Sequence, residues 1–211
     1  MSGRFLVLEG IDGCGKTTQL RALADWLPGS GLMPPPARLV CTREPGGTPL
    51  GRALRSLLLQ PPEGAAPVSR TELLLYAADR AQHVETLVRP ALAAGHWVLS
   101  DRFSGSTAAY QGSGRGLDPG LIATLERIAT DGLRPDLCIW LDLPPALAWS
   151  RRQAEGSPED RIEAEGLAFL ERVRQGFAAL AEGPGWCRLA AEGSPEAVQS
   201  ALRTLLRQTF T

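Results

Sequence analysis

The chain has 211 residues, an ordinary globular composition with 44% hydrophobic residues, and a formal net charge of −1. That length fits one α/β core, a single domain over 1–211, and the near-zero charge gives no general pull toward nucleic acid or an anionic membrane. Four scattered cysteines without C-x-x-C spacing argue against a disulfide framework or a zinc site, and no apolar run reaches the length of a signal peptide or membrane span, so a cytoplasmic protein is expected.

Phe5 to Leu8 is a continuous apolar run and reads as a buried strand. It leads into Gly10, Ile11, Asp12, Gly13, Cys14, Gly15, Lys16, Thr17 and Thr18, which fit the phosphate-loop pattern G-x-x-x-x-G-K-[ST]. Thr18 to Leu27 follows, with Leu20, Leu23, Ala24 and Leu27 at helical spacing. A triphosphate needs converging donors, and backbone N–H groups supply them only where glycines let the chain wrap closely. The helix N-terminus adds its own N–H groups and the positive end of a dipole. Lys16 supplies a mobile charge for the outer phosphates, and Thr17 offers a hydroxyl to Mg²⁺. A chance match in a glycine-rich chain is the alternative, and the strand before and helix after argue against it. Residues 10–18 are therefore expected to bind nucleotide phosphates.

Farther on, 28–36 reads as a Pro/Gly-rich loop, Leu39 to Cys41 as a second strand, and Arg43 to Thr48 as a turn cluster at its end. Leu50, Ala53, Leu54, Leu57 and Leu58 mark a helix. After a loop over 61–67, Ser69 stands to cap a long helix over 70–94, with Glu72 at the capping-box position and Pro90 kinking or breaking it. Trp97 to Leu99 is the third strand, closing on Ser100, Asp101 and Arg102. A Gly/Ser-rich segment runs to Gly116, and Asp118 and Pro119 start a helix carrying Leu121, Leu125 and Ile128. Leu137 to Leu141 is a central strand. A helix over 144–154, a polar loop over 155–161, a helix over 164–182, a weaker strand over 186–189 and a helix over 194–206 complete the chain.

Strands alternating with helices predict a parallel sheet covered on both faces. The polar clusters 10–18, 43–48 and 101–116 fall at the carboxyl ends of strands, where such sheets bind ligands. Asp101 there is a candidate to hold Mg²⁺, directly or through water; capping of the next turn is the plainer alternative.

Four stretches together resemble bacterial thymidylate kinases: Thr42 to Thr48 followed by Leu54 to Leu59, Tyr76 to His83, Asp101 to Gly116, and Arg134 to Leu137. The resemblance runs from the first strand to the last helix. It implies a P-loop nucleoside-monophosphate-kinase-like three-layer sandwich with a five-stranded parallel sheet flanked by helices. It implies transfer of the γ-phosphoryl of ATP to dTMP, giving dTDP and ADP, with Mg²⁺. Carried onto this chain, Asp12 meets the sugar 3′-hydroxyl and phosphate region, Glu44 lines the acceptor site, and Arg55 and Arg102 clamp the acceptor phosphate. Tyr76 stacks on thymine, Arg80 hydrogen-bonds the base O4, Thr107 and Gln111 face the pyrimidine edge, and Tyr110 crowds a ribose 2′-hydroxyl.

The residues taken alone are compatible with these roles. Tyr76 and Arg80 are four apart and share a helix face, and a ring plus a forked donor suits a planar base with carbonyl edges. Core packing for Tyr76, and an ion pair of Arg80 with Glu72 or Asp79, are the alternatives. Family members without an arginine in the phosphate loop carry catalytic arginines in a mobile lid, and Gly13 stands at that loop position. The lid here is about 151–161, with arginines only at its edges, so Arg161 and one of Arg151 and Arg152 are expected to close over ATP. His83, one turn beyond Arg80, is expected to be partly exposed and, like His96, not catalytic. The resemblance also implies a homodimer built on the flanking helices. A P-loop kinase for another nucleotide such as dUMP, and a nucleotide-dependent switch or ATPase, remain as rival readings.

Overall fold

In the computed structural model, which describes residues 3–155, 161–162 and 165–210, every predicted strand is present. They are β1 (Phe5–Glu9), β2 (Leu39–Arg43), β3 (Trp97–Asp101), β4 (Leu137–Asp142) and β5 (Trp186–Ala190). Among the described residues they form one parallel sheet in the order β2-β3-β1-β4-β5. β1 is central, with Leu8 beside Asp101 of β3 and Leu8 beside Ile139 of β4. The chain leaves β1 toward β2 and later crosses to β4, so the strand order reverses at β1 and a crevice opens at its carboxyl end.

The alternation of side chains decides which face each residue covers. Leu6, Leu8, Leu99 and Ile139 enter one apolar layer with Leu23, Phe177 and Leu202. Phe5, Val7, Val98 and Cys138 enter the other with Val84, Val88 and Phe103. β1 is buried on both faces, which is why it reads as an unbroken apolar run. Each fully buried leucine or valine there contributes about 1.5–3 kcal/mol.

The helices are α1 (Lys16–Trp26), α2 (Pro49–Leu59), α3 (Ser69–His83), α4 (Arg89–Ala93), α5 (Ser104–Thr107), α6 (Pro119–Thr130), α7 (Pro145–Glu155), α8 (Leu167–Ala181) and α9 (Pro195–Phe210). Two start as their sequences dictate. Thr48 accepts a hydrogen bond from Gly51 N ahead of Pro49, and Asp118 accepts one from Leu121 N ahead of Pro119. No helix among the described residues is long and apolar enough to cross a membrane.

The capping expectation is corrected. Ser69 is not a cap: it is the first residue of α3, preceded by Val68 with no side-chain cap bond, and Glu72 is buried and bonded to Gln111, Arg115 and Arg161. The helix expected over 70–94 with a break at Pro90 is interrupted just before that residue, running as α3, a π-helical turn over Val84–Val88, and α4. Pro90 lies in the first turn of α4, directly after the π-helical turn. The Gly/Ser-rich segment holds α5 and a π-helical turn over Ala108–Gly114, both of which pack on α8.

Candidate active site

Glu9 ends β1 and the phosphate loop turns away from it. Gly13 has φ +82°, and a Cβ there would lie 2.5 Å from Ala148 O, so no side chain fits this backbone. Gly15, at φ +95°, delivers the chain into α1. Lys16 Nζ is folded back over the loop, donating to Gly10 O at 3.0 Å and Ile11 O at 2.9 Å, and lies 3.8 Å from Asp12 Oδ1. Thr17 Oγ1 donates to Asp101 Oδ2 at 3.0 Å, which joins α1 to the end of β3. Asp101 Oδ1 is buried with no hydrogen-bond partner among the described residues. An orphaned carboxylate oxygen beside a hydroxyl at the phosphate loop fits a hard cation that draws its other oxygens from phosphates and water.

An open cleft surrounds the loop. Asp12 to Gln19, Asp101 and Arg102 line it on one side, and Arg151, Arg152, Ala191, Pro195 and Val198 on the other. A second cavity lies against it. All nine residues expected at the acceptor site line this second cavity: Asp12, Glu44, Arg55, Tyr76, Arg80, Arg102, Thr107, Tyr110 and Gln111. Asp12, Glu44, Arg55 and Arg102 line both cavities and form the seam between them.

The seam sets two guanidiniums against two carboxylates. Arg102 sits in the left-handed region at φ +74°, a conformation that costs energy in any residue with a Cβ. It donates to Gly10 O at 2.9 Å, Ser106 Oγ at 2.8 Å, Asp12 Oδ1 at 2.6 Å and Tyr110 OH at 3.2 Å. Burial opposes the charge of Asp12, but Arg102 and Lys16 outweigh it and hold the carboxyl well below the usual range. Arg55 donates to Pro45 O at 3.1 Å. Burial, and then the charges of Arg43 and Arg102, push its pKa down, against the pull of Tyr76 and Asp12.

Arg80 is buried and held on two sides. Its Nε donates to Glu44 Oε2 at 2.8 Å, and its Nη1 donates to Thr107 Oγ1 at 2.9 Å and to Glu126 Oε1. Its guanidinium carbon lies 5.3 Å from the Phe103 ring centre. The partners are Glu44 and Glu126, not the sequence neighbours Glu72 or Asp79. Burial opposes the Arg80 charge, and Glu126 and Glu44 outweigh it and raise its pKa above the usual value. Tyr76 is half-buried on the cavity wall rather than sunk in the core.

His83 is fully buried, against the expectation of partial exposure, because its two ring nitrogens lie 2.7 Å from Glu44 Oε1 and 2.7 Å from Thr42 Oγ1. Of the lid arginines, Arg151 donates to Ala191 O at 3.1 Å and Glu192 O at 3.3 Å, and with Arg152 borders the phosphate-loop cleft. Arg161 lies elsewhere: it donates to Leu58 O at 3.1 Å and to Glu72 Oε2, next to Ile162 on the acceptor cavity wall. The rest of the expected lid, 156–160, lies outside the described residues.

Sequence reasoning missed Glu9. Its Oε1 accepts from Phe103 N at 3.0 Å and Ser106 N at 3.1 Å, and its Oε2 accepts from Ser106 Oγ at 2.6 Å. It pins the segment that carries Arg102. A lone acid closing an apolar strand at the ligand-binding edge was the available signal, the same one that marked Asp101. Glu72 and Glu126 carried no such signal.

A family model described as thymidylate kinase matches residues 8–202. A thymidylate kinase of Synechococcus sp. (strain RCC307) is 68% identical over 208 residues, 99% of this chain and 97% of that one. One from Prochlorococcus marinus (strain MIT 9313) is 65% identical over 210 residues, covering 100% and 96%. The crystal structure of thymidylate kinase from Ehrlichia chaffeensis superposes with a TM-score of 0.77 at 30% identity, covering 98% of this chain and 100% of that one.

Proposed function

The chain belongs to the thymidylate kinase family and acts as a nucleoside monophosphate kinase, and from that premise we propose that its two joined cavities divide the task. The reaction moves the γ-phosphoryl of ATP to dTMP, giving dTDP and ADP. The phosphate-loop cleft takes ATP and the Tyr76 cavity takes dTMP. The observation that carries this reading is the shared wall: Asp12, Glu44, Arg55 and Arg102 border both cavities, so a group leaving one arrives in the other.

In-line transfer needs positioning and charge compensation more than covalent help. Residues 10–15 wrap the ATP phosphates through backbone N–H groups, and Lys16 exchanges its two carbonyl partners for the outer phosphates. Arg102 and Arg55 clamp the dTMP phosphate, Arg102 releasing Asp12 to do so. Tyr76 stacks on thymine, Arg80 donates to O4, Thr107 and Gln111 face the pyrimidine edge, and Tyr110 crowds a 2′-hydroxyl. Asp12, held as a carboxylate, meets the sugar and phosphate region. Thr17 and Asp101 would hold Mg²⁺, which when bound offsets phosphate charge. No general base is required, because the acceptor phosphate oxygen is already anionic near neutral pH. One of Arg151 and Arg152, which border the phosphate-loop cleft, and Arg161, from the acceptor side, supply the lid charges, an arginine on the transferring group being worth roughly 10³–10⁵ in rate.

The reading extends to a single kinase domain in the cytoplasm, in keeping with four unpaired cysteines. It extends to a homodimer as well. Leu57, Leu74 and Ile128 are exposed at 46%, 49% and 70% on α2, α3 and α6, helices that pack side by side. Sedimentation of the purified protein tests the dimer; a monomer at all concentrations rejects it.

The test of function is ADP release with Mg·ATP and dTMP, dUMP, dCMP, UMP or thymidine offered separately, with Lys16→Ala as background. Turnover with dTMP well above the rest is expected. Preference for another acceptor, or acceptor-free hydrolysis, overturns the assignment of the Tyr76 cavity.

A further inference from the structure

Gln111 carries a donor and an acceptor of nearly equal size on one amide. Which end meets a ligand is decided by what holds the other end. Here Nε2 of Gln111 donates to Glu72 Oε1 at 2.7 Å. Glu72 is fully buried. It also accepts from Arg115 at 3.2 Å on each oxygen, and from Arg161 on Oε2. Burial opposes its charge, and the bonds from Arg115, Gln111 and Arg161 outweigh that and hold the carboxyl below its usual range. A carboxylate has only acceptors to offer. The NH₂ end of Gln111 is therefore committed to Glu72, and Oε1, which takes no hydrogen bond among the described residues, is left for the cavity that Gln111 lines.

Arg80 supplies the complement. Three of its five N–H donors are spent on Glu44, Thr107 and Glu126, while Nη2 makes no hydrogen bond among the described residues. The cavity thus offers one fixed acceptor and one fixed donor. An imide edge, N–H beside C=O, satisfies both. An amidine edge like that of cytosine, a bare ring nitrogen beside an amine, opposes both and leaves buried groups unpaired.

We propose that Glu72 is a specificity-determining positioning residue, which holds the Gln111 amide by its nitrogen so that the oxygen selects an imide base edge over an amidine edge. This rests on the assignment of dTMP to the Tyr76 cavity. Glu72 touches no substrate and acts through Gln111 alone.

The test measures kcat and KM for dTMP and dCMP at saturating ATP in the full chain. Wild type is compared with Glu72→Gln, Gln111→Leu and the double variant Glu72→Gln/Gln111→Glu. Glu72→Gln frees the amide to turn and is expected to lower the dTMP-to-dCMP ratio of kcat/KM by about tenfold or more, mainly through KM for dTMP. In the double variant the carboxylate at 111 can only accept, and the glutamine at 72 can donate to it, so the ratio returns to within about threefold of wild type. Equal losses for both acceptors in Glu72→Gln, with the ratio unchanged, mean a purely structural role and overturn the proposal. If Gln111→Leu also leaves the ratio unchanged, the base is not read by Gln111, and the assignment beneath the proposal fails with it. Should Glu72→Gln not fold, Glu72→Asp keeps a charge for Arg115 and Arg161 while withdrawing it from Gln111, and carries the same expectation.

Discussion

Replacing Glu9 with glutamine is expected to stabilise the protein increasingly as pH rises from 5 to 8. Glu9 lies at zero exposure at the end of β1. Burial pushes its carboxyl up from 4.5 to about 7, against the pull of Ser106 and Arg102. In the unfolded chain the same group ionises near its ordinary value. Between about pH 4.5 and 7 the folded protein therefore binds more protons than the unfolded one. The stability Glu9 contributes is full below that window, is lost as pH rises through it, and stays low above it. The difference between pH 5 and pH 8 is on the order of 2–3 kcal/mol. Glutamine has the same shape, keeps an oxygen for the amides of Phe103 and Ser106, turns its NH₂ to Ser106 Oγ, and has no charge to bury. For a chain of this size the gap in Tm between Glu9→Gln and wild type should widen by about 5–10 °C in the variant's favour over that range. Thermal unfolding by circular dichroism at both pH values measures it. A gap that stays constant, or that narrows with rising pH, refutes the argument that Glu9 is held against ionisation by burial.

Asp101→Asn keeps a partner for Thr17 but removes the charge, and should raise the Mg²⁺ concentration for half-maximal ADP release by about tenfold or more; an unchanged Mg²⁺ titration counts against Asp101 as a ligand. Arg151, Arg152 and Arg161, replaced singly by alanine, should lower kcat by about tenfold or more in at least one case. Their places separate them further, with KM for ATP rising for Arg151 and Arg152 and KM for dTMP for Arg161; three silent variants would sink the lid assignment. Gly105→Ala would set a methyl 2.5 Å from Trp186 Cη2 and 2.9 Å from Glu9 Oε1. It should cost about 1–3 kcal/mol, visible as a lower Tm, and a neutral result would mean that the indole moves aside freely.

The strands were legible because a parallel sheet buries its centre on both faces, so β1, β3 and β4 are apolar up to the polar residues at their carboxyl ends. The nine residues expected at the acceptor site came from the resemblance alone, since periodicity by itself leaves Tyr76 in the core and Arg80 in an ion pair; the structure gathers all nine around one cavity. Residues 104–116 were not legible, because their serines and glycines look like turn residues. Here the glycines serve close packing instead, as at Gly114, where a Cβ would lie 2.7 Å from the Phe169 ring. His83 was misjudged for a related reason. Its surroundings are made by Thr42 and Glu44, about 40 residues away in the chain, and no local pattern announces them. Glu72 fits a capping box by spacing alone, but lateral partners on 111, 115 and 161 claim it.

Lys16 is the only lysine in the sequence, and its ammonium is tucked against two carbonyls of its own loop. A lysine-specific protease therefore has a single bond to cut, and that bond lies at the first turn of α1. Cleavage requires the loop to open locally, so the digestion rate counts those openings one site at a time. Any anion seated in the loop slows the count in proportion to its occupancy. Two bands on a gel then become a gauge of nucleotide binding that needs neither a label nor turnover.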